Sequence, residues 1–258
     1  MKKIVIMLMV FVLMLGVLPM SAIIHADASN NVLTYTIENE KVTITGCEKS
    51  AVGVLKIPDS IDGYPVTAIG FAAFRECMSL TEVILPESIT SIAHMAFYDC
   101  WRLERITIPK NVTIIDRSTF YACKALTNVI IPETVTEISD GAFKGCKKLE
   151  IVQLPKSIDF IDIEAFFDTG ITDVYFDGTD VEREKNLVLE TFGNSQLINA
   201  TWHYAGDING DGTVTSSDVV AILSILKNNK IADKSADLNQ DGKVTLADAL
   251  NLLKRITM

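Results

Sequence analysis

The sequence predicts an α/β solenoid of short units that is followed by a small all-α module. Three observations support this prediction. A 23-residue pattern recurs about five times in the middle of the chain, a 30-residue pattern occurs twice near its end, and an apolar segment with a basic start precedes both. Repeats of such short period are typical of solenoids, in which each unit buries its apolar face only against its neighbours.

The segment 1–28 is predicted to be a secretory signal peptide rather than a retained anchor. Lys2 and Lys3 precede an apolar run over residues 4–18, and Ala26-Asp27-Ala28 fits a signal peptidase site. The run is too short to span a bilayer comfortably. We therefore expect a secreted, extracellular protein without membrane insertion.

The net charge of the chain is negative. It is −10 for the whole sequence, and loss of two lysines and one aspartate with residues 1–28 leaves −11. A protein of this charge does not bind nucleic acid or an anionic membrane through its overall electrostatics.

One unit of the 23-residue pattern is VTEISDGAFKGCKKLEIVQLPKS, residues 135–157. Its strand-like part alternates, as in LTEVILP at 80–86, where Val83 and Leu85 point inward and Glu82 and Ile84 outward. The proline ends the strand because it cannot donate to a ladder, and the isoleucine-to-phenylalanine part supplies the opposite wall of the core. The five columns in register are Ile69, Ile92, Ile115, Ile138 and Ile161; Phe74, Phe97, Phe120, Phe143 and Phe166; Cys77, Cys100, Cys123 and Cys146; Leu80, Leu103, Leu126 and Leu149; and Pro86, Pro109, Pro132 and Pro155.

The cysteine column has two interpretations. Secreted proteins usually oxidise their cysteines, and neighbouring rungs about 4.8 Å apart permit a bridge. Side chains stacked in register point the same way, however, which favours packing as buried free thiols. A catalytic cysteine is not expected, because His94 and His203 are the only histidines after position 28 and His94 lies in an exposed, variable column.

These columns resemble the leucine-rich repeats of the bacterial BspA-like type over residues 66–179. The fifth unit departs from the pattern, since Thr169 replaces the cysteine and no proline follows. The resemblance implies an N-terminal cap at 29–65 and a C-terminal cap at 180–204. It leaves no room for a separate catalytic domain.

The outward residues of the strands form a possible ligand face. Its proposed members are Ile84, Arg105, Ile130, Ile151 and Tyr175. Contiguous exposed apolar surface can mark a contact site, although β-propensity alone would also select these residues.

Three aromatic residues occupy turn positions of neighbouring units: Tyr98, Trp101 and Tyr121. They are expected to pack between turns, and the alternative is a platform for a sugar.

The segment DINGDGTVTSSD, 207–218, predicts a calcium loop, and DLNQDGKVTLAD, 237–248, repeats it in the second copy of the longer pattern. Glycine at position 6 permits the sharp turn that lets oxygen ligands converge on one ion, and hard oxygen donors favour calcium over transition metals. We expect two Ca²⁺ ions rather than metal-free turns. The predicted ligands are Asp207, Asn209, Asp211, the Thr213 carbonyl, Thr215 through water and Asp218 in the first loop, and Asp237, Asn239, Asp241, the Lys243 carbonyl, Thr245 through water and Asp248 in the second.

An apolar stripe of helical period follows each loop. The stripes are Val219, Ile222, Leu223 and Leu226, and Ala249, Leu252, Leu253 and Ile256. The segment before Asp207, INATWHYAG, does not have the pattern of the entering helix that an EF-hand requires, and position 12 is aspartate in both loops.

A duplicated loop–helix unit of this kind, covering 205–258, resembles a type I dockerin. The resemblance implies calcium-dependent binding to a cohesin module of a scaffoldin in a cellulosome. It assigns the cohesin face to Ser216, Ser217, Leu223, Ser224 and Asn228 in the first half and to Leu246, Ala247, Leu253, Lys254 and Met258 in the second. The interpretation of Leu223 and Leu253 as core is stronger than their assignment to the face. Because Leu246-Ala247 departs from the usual hydroxyl pair, a symmetric two-way binding mode is not expected.

Three functions remain open for the repeats. The first is a non-catalytic module that binds a protein or glycan. The second is a glycoside-hydrolase-type subunit in polysaccharide catabolism, because most dockerin-bearing proteins are such enzymes; paired carboxylates would suffice, but rungs without insertions offer no deep cleft. The third is a structural spacer.

Overall fold

The computed structural model describes residues 25–26, 32–227 and 244–257, with side chains for 32–227 and 244–254. The predicted signal peptide lies outside these residues except for its short strand at 25–26. None of the helices in the described part of the chain is long and apolar enough to cross a membrane.

Short strands make up most of the regular secondary structure, and the helices of the described ranges all lie after Thr179. The strands are β1 (His25–Ala26), β2 (Leu33–Glu38), β3 (Lys41–Cys47), β4 (Gly53–Lys56), β5 (Ser60–Ile61), β6 (Tyr64–Ile69), β7 (Leu80–Ile84), β8 (Ser91–Ile92), β9 (Arg105–Ile106), β10 (Ile114–Ile115), β11 (Asn128–Ile130), β12 (Glu137–Ile138), β13 (Ile151–Leu154), β14 (Phe160–Ile161), β15 (Asp173–Phe176), β16 (Val188–Leu189) and β17 (Thr201–Tyr204). The helices are α1 (Asp180–Asn186), α2 (Ser195–Asn199), α3 (Ser216–Lys227) and α4 (Leu246–Thr257).

Two parallel ladders form opposite walls of the solenoid. The first wall contains the predicted strand of each unit, in the strand orders β4-β7-β9 and β11-β13-β15-β17. The second wall contains β8, which pairs with β6, and the strands β10-β12-β14-β16 in that order. The ladder register sets Glu82 beside Arg105 and Ile130 beside Gln153, as the 23-residue step predicts. The first wall begins with β4 and ends with β17, so strands from the segments predicted as caps continue the ladder at both ends.

The N-terminal segment closes one end with a hairpin. Strands β2 and β3 pair antiparallel around Asn39 and Glu40, which both adopt positive φ. Strand β3 then pairs parallel with β6, which joins the hairpin to the first repeat.

Stacked phenylalanines fill the centre of the solenoid. The rings of the five-membered phenylalanine column are fully buried and nearly parallel from rung to rung. Around Phe120, for example, the centroid distances are 5.4 Å to Phe97 and 5.2 Å to Phe143. Such stacks add to the hydrophobic gain of burying each ring.

The backbone of each turn is bonded to the next rung. The amide of Phe97 donates to the carbonyl of Thr119, and that of Phe120 to the carbonyl of Ala142. Some of the amides that donate to the next rung belong to residues in the left-handed region of backbone conformation. Ala122, for example, has a φ of 56°, and its N–H donates to the Lys144 carbonyl at 2.7 Å. These bonds hold a conformation that costs a residue with a side chain about 1–2 kcal/mol.

The cysteine column consists of buried free thiols, as the stacking argument favours. The thiol of Cys100 donates to the Phe74 carbonyl of the preceding rung at 3.0 Å, and that of Cys146 donates to the Phe120 carbonyl at 3.1 Å. Burial raises the pKa of the Cys100 thiol, so the reactive thiolate is disfavoured. The cysteines therefore act as small donors that link rungs.

Asn194 caps the last rung, and sequence reasoning did not identify it. Its side chain is fully buried, and its Oδ1 accepts the Phe166 amide at 2.9 Å, where earlier rungs use a backbone carbonyl. Its Nδ2 donates to the carbonyls of Asp162 and Glu190. One side chain thus satisfies backbone groups that the end of the array would otherwise leave unpaired.

Replacing Phe120 with alanine should lower the free energy of unfolding by about 3–5 kcal/mol, because it leaves a void between two stacked rings. Urea unfolding followed by circular dichroism measures the loss. Phe192→Ala is the control, since Phe192 is 68% exposed and should change stability by less than about 0.5 kcal/mol. Equal losses in the two variants would contradict the role of the stack.

Candidate functional site

The loop at 207–218 folds around its own carboxylates. The Asp207 Oδ1 accepts the amides of Gly210 and Asp211, and its Oδ2 accepts the amide of Gly212 at 2.9 Å. Gly210 and Gly212 both have positive φ, as the predicted sharp turn requires. Asp207, the first predicted ligand, is therefore held by the backbone amides of the turn.

The middle of the loop is held by further side-chain contacts. Asp211 accepts the amide and the hydroxyl of Thr213, and these bonds, with one from Asn209, lower the pKa of the Asp211 carboxyl. Asn209 also donates to the Ser217 hydroxyl at 3.0 Å. Asp211 is thus stabilised as a carboxylate.

Asp218 closes the loop and lies in the first turn of α3. It is fully buried, and its carboxylate accepts the amides of Ile208 and Asn209 through Oδ1 and that of Thr215 through Oδ2. The same residue therefore joins both ends of the loop and lies in the first turn of the helix, where a negative charge is favoured.

The described end of the second loop repeats this arrangement. Asp248 is fully buried, and its Oδ2 accepts the Thr245 amide at 2.7 Å. The Ala247 amide donates to the Thr245 hydroxyl, as Ser217 does to Thr215 in the first loop. The predicted ligands Asp237, Asn239, Asp241 and Lys243 lie outside the described residues.

Helices α3 and α4 pack against each other. Ile222 and Leu252, which are equivalent in the two loop–helix units, are fully buried, and Val219 and Leu226 are partly buried. The two units therefore share one small apolar core.

The donor set of the first loop suits a hard cation. It combines three carboxylates with amide, carbonyl and hydroxyl oxygens, which calcium prefers. Within the ranges that the structure describes, no three Asp, Glu, His or Cys side chains form a metal-binding group. Binding of a hard cation by this loop would therefore need the amide, carbonyl and hydroxyl oxygens as well as the carboxylates of Asp207, Asp211 and Asp218.

A sequence profile described as a BspA type leucine rich repeat region matches residues 55–186 in six copies. A profile described as a dockerin type I domain matches residues 205–257. The chain belongs to the BspA-type leucine-rich repeat proteins and carries a C-terminal type I dockerin domain.

Solved structures of bacterial leucine-rich repeat proteins share this fold. A leucine-rich repeat protein of T. pallidum is 26% identical, with a TM-score of 0.53, and the match covers 77% of this chain and 94% of that one. A leucine rich cell surface protein of Faecalibacterium prausnitzii is also 26% identical with a TM-score of 0.53, and the match covers 73% of this chain and 56% of that one. No curated protein matches the chain significantly.

The described residues of the expected cohesin face are all exposed at the dockerin surface. Leu223 and Leu253 are each 42% exposed, so their interpretation as core residues is wrong. The stripe on each helix is wider than the surface that its partner helix covers, and these two leucines lie at its uncovered edge. Asn228 and Met258 lie outside the described residues.

The dockerin surface also exposes Val220 and Leu250, which sequence reasoning missed as surface residues. They occupy equivalent positions of the two loop–helix units. The sequence signal is their spacing: each lies two residues before a stripe residue, Ile222 or Leu252, and two residues on a helix turn the side chain to the opposite side.

The strand face of the repeats is as apolar as predicted. Ile84, Ile151 and Tyr175 are exposed, and Ile130 is 64% exposed. Arg105 forms a long ion pair of 3.8 Å with Glu82.

At the end of this face, Tyr175 stacks on His203, which contacts the Asp173 carboxylate at 2.8 Å. This hydrogen bond lowers the pKa of the Asp173 carboxyl. The sequence alone assigns no role to His203, because its place beside Tyr175 depends on the pairing of β15 with β17.

The aromatic residues of the turns separate into two kinds. Tyr98 and Tyr121 stack on each other, with centroids 4.6 Å apart and ring planes 2° from parallel, so packing between turns is confirmed for this pair. Trp101 instead remains 43% exposed and carries the Lys124 ammonium 4.2 Å above its ring.

A shallow groove lies beside α2. It has a volume of about 430 Å³ and is lined by Ile171, Thr172, Ser195, Gln196, Asn199 and Ala200. None of these residues is acidic, so the groove lacks the carboxylate pair of a glycoside hydrolase.

Gly206→Ala should destabilise the dockerin more than Gly210→Ala does. Both glycines have positive φ, but a Cβ at Gly206 would lie 2.6 Å from Cδ1 of the buried Leu252, whereas none lies within 4 Å at Gly210. Overpacking should add about 1–3 kcal/mol to the backbone strain. Hydrogen exchange of α3 and α4, measured by mass spectrometry, reports the difference; equal protection in both variants would refute it.

Proposed function

We propose that the protein is a secreted, non-catalytic component of a cellulosome-type assembly. Its dockerin binds a cohesin module of a scaffoldin in a calcium-dependent way, and its solenoid binds a protein or glycan ligand. The observation that carries the proposal is the pair of loop–helix units, in which buried Asp218 and Asp248 fasten each loop to a helix with exposed side chains. Both matched families are non-catalytic and typical of extracellular or surface proteins.

Calcium is proposed to bind both loops. In the first, Asp207, Asn209, Asp211, Thr213, Thr215 and Asp218 would hold the ion; in the second, their equivalents from Asp237 to Asp248 would do so. The ion would supply positive charge beside the carboxylates of the loop. The contacts of Asp207 and Asp218 with loop amides support this assignment, because they already impose the turn that ligation requires.

Cohesin is proposed to contact the exposed edges of the two helices. On α3 the edge contains Ser216, Ser217, Leu223 and Ser224, and on α4 it contains Leu246, Ala247, Leu253 and Lys254. The α3 edge is mainly hydroxylic, whereas the α4 edge is mainly apolar. Since equivalent positions differ in chemistry, one cohesin would not bind both edges equally well.

The ligand of the solenoid is proposed to bind the strand face. Ile130 and Ile151 lie diagonally across β11 and β13 and are both exposed, and Tyr175 extends the apolar surface on β15. Contact at the centre of such a patch would remove apolar area from water at about 25 cal/mol per Å². The absence of insertions between rungs keeps this face flat and open, which suits a large ligand.

Capture on a panel of immobilised cohesins tests the docking function. The full chain should be retained in calcium and released by chelator. Asp207→Ala with Asp211→Ala should weaken capture, and Leu223→Asp with Leu253→Asp should weaken it about tenfold or more, because burying a leucine contributes about 1.5–3 kcal/mol.

Val181→Asp is the matched control for that experiment, since Val181 is exposed on α1 outside the dockerin. It should bind as the unmodified chain does. Retention by a cohesin in chelator, or undiminished capture of the double leucine variant, would refute the assignment.

A pull-down of full-length protein from secretome, cell-surface and polysaccharide fractions, carried out in chelator so that cohesin is not captured, tests the strand face. Ile130→Asp with Ile151→Asp should abolish the saturable interaction, because two buried charges replace apolar contacts. Ile114→Asp with Val188→Asp makes the same change at exposed positions of the opposite wall and should have no effect. Absence of any saturable partner would favour the spacer function instead.

A further inference from the structure

We propose that the turns of the solenoid form a second binding surface, the turn ridge, which binds a carboxylated polysaccharide chain. The turn ridge consists of residues 97–103, 120–126 and 143–149. The inference rests on the proposal that the solenoid is a ligand-binding module, and it adds a surface separate from the strand face and a chemical class of ligand.

The turn ridge is positively charged in an acidic protein. It contains five basic residues and one acidic residue, so its charge is +4 while the remainder of the −10 chain carries −14. The basic residues are Arg102, Lys124, Lys144, Lys147 and Lys148, and the acidic residue is Asp99. A local field of this sign attracts a polyanion even though the protein as a whole repels one.

Part of this positive charge is not neutralised within the fold. Lys144 pairs with Glu164 at 2.6 Å and Lys147 with Asp168 at 3.4 Å. Among the residues that the structure describes, Arg102, Lys124 and Lys148 have no carboxylate partner, and all three are exposed. They remain available for charge-assisted hydrogen bonds to an anionic ligand.

Trp101 provides an aromatic surface within the same ridge. The Asp99 carboxylate accepts the Trp101 Nε1–H at 2.9 Å, so the single acid of the ridge orients the indole. Lys124 lies over the ring at 4.2 Å, and 43% of the residue surface is still exposed. An oriented, exposed indole beside a cation suits a ligand that offers C–H faces and negative charge together.

The cations of the ridge are spaced by the repeat itself. Trp101, Lys124 and Lys147 occupy the same position of three successive turns. The next position along the chain holds Arg102 in the first of these turns and Lys148 in the third. Successive rungs are 5.4 and 5.2 Å apart at the phenylalanine stack below them. This spacing is comparable with the length of one sugar in an extended glycan, so a chain with one carboxylate per sugar matches the ridge.

The overall charge argues against the other large polyanions. A nucleic acid duplex or an anionic membrane would extend its field over the acidic remainder of the protein, which opposes binding. A single glycan chain can follow the ridge alone. A uronic acid polymer thus combines the required carboxylates with sugar faces for Trp101.

Titration calorimetry with oligogalacturonate tests the inference on the full chain. Chelator is present throughout, so that neither bridging calcium nor the dockerin loops contribute. The oligosaccharide should bind, and its fully methyl-esterified form, which has the same backbone without the charge, should bind at least about tenfold more weakly. Affinity should fall as salt is raised.

Three variants localise the binding. Lys124→Glu with Lys148→Glu should weaken binding at least about tenfold, and Trp101→Ala should weaken it about fivefold or more. Lys110→Glu with Lys156→Glu is the matched control, because it makes the same charge change at exposed lysines after the strands and should alter affinity less than about threefold. Circular dichroism verifies that each variant is folded.

Several results would overturn the inference. These are equal binding of the esterified oligosaccharide, equal loss in the control variant, no binding of oligogalacturonate, or tighter binding of duplex DNA or phosphatidylserine vesicles through the same lysines. If oligogalacturonate fails while the partner captured by the strand face is retained, the turn ridge is refuted and the proposed function stands. If both fail, the solenoid is not a ligand-binding module.

Discussion

The interlocking of successive rungs is the constraint on which the solenoid depends. Each phenylalanine ring stacks on the next, while its backbone amide donates to the following rung. These two contacts require the same register, so an insertion inside a rung would break both at once. The end of the array meets this requirement with Asn194, whose side chain supplies the acceptor that a further rung would have provided. Stability is therefore distributed over nearest neighbours, as in other repeat proteins.

The same register gives the protein surfaces of different chemistry. Equivalent positions of successive units form columns along the solenoid. Where such a column lies at the surface, a substitution in one unit changes the surface without disturbing the core. The strand face presents Ile130 and Ile151, whereas the turns present Lys124 and Lys148. The rigid interior thus separates the requirements of folding from those of binding. Short rungs make both surfaces open, which suits extended ligands better than small substrates.

The dockerin combines several roles in one residue of each half. Asp218 is at once the last predicted ligand of its loop, the acceptor of three backbone amides and an acidic residue in the first turn of α3. Asp248 occupies the equivalent place in the first turn of α4. Loop closure, helix orientation and the proposed metal binding therefore involve the same carboxylate in each half. An ion bound there would orient the helix edges that carry the proposed cohesin contacts.

The sequence by itself determined the repeat period, the inward and outward residues of the strands and the duplicated loop–helix pattern, because each depends on spacing along the chain, and it favoured the buried thiol column. Only the tertiary structure decided which part of each helix stripe is covered: Leu223 and Leu253 belong to an apolar pattern, but the packing of α3 on α4 leaves them exposed. It likewise revealed Asn194 as the cap, since its partner Phe166 is distant in sequence. It also separated Trp101 from the Tyr98–Tyr121 pair, because stacking depends on ring orientation and not on residue type. Periodicity specifies which residues share a face; what covers that face depends on contacts between segments that the period does not encode.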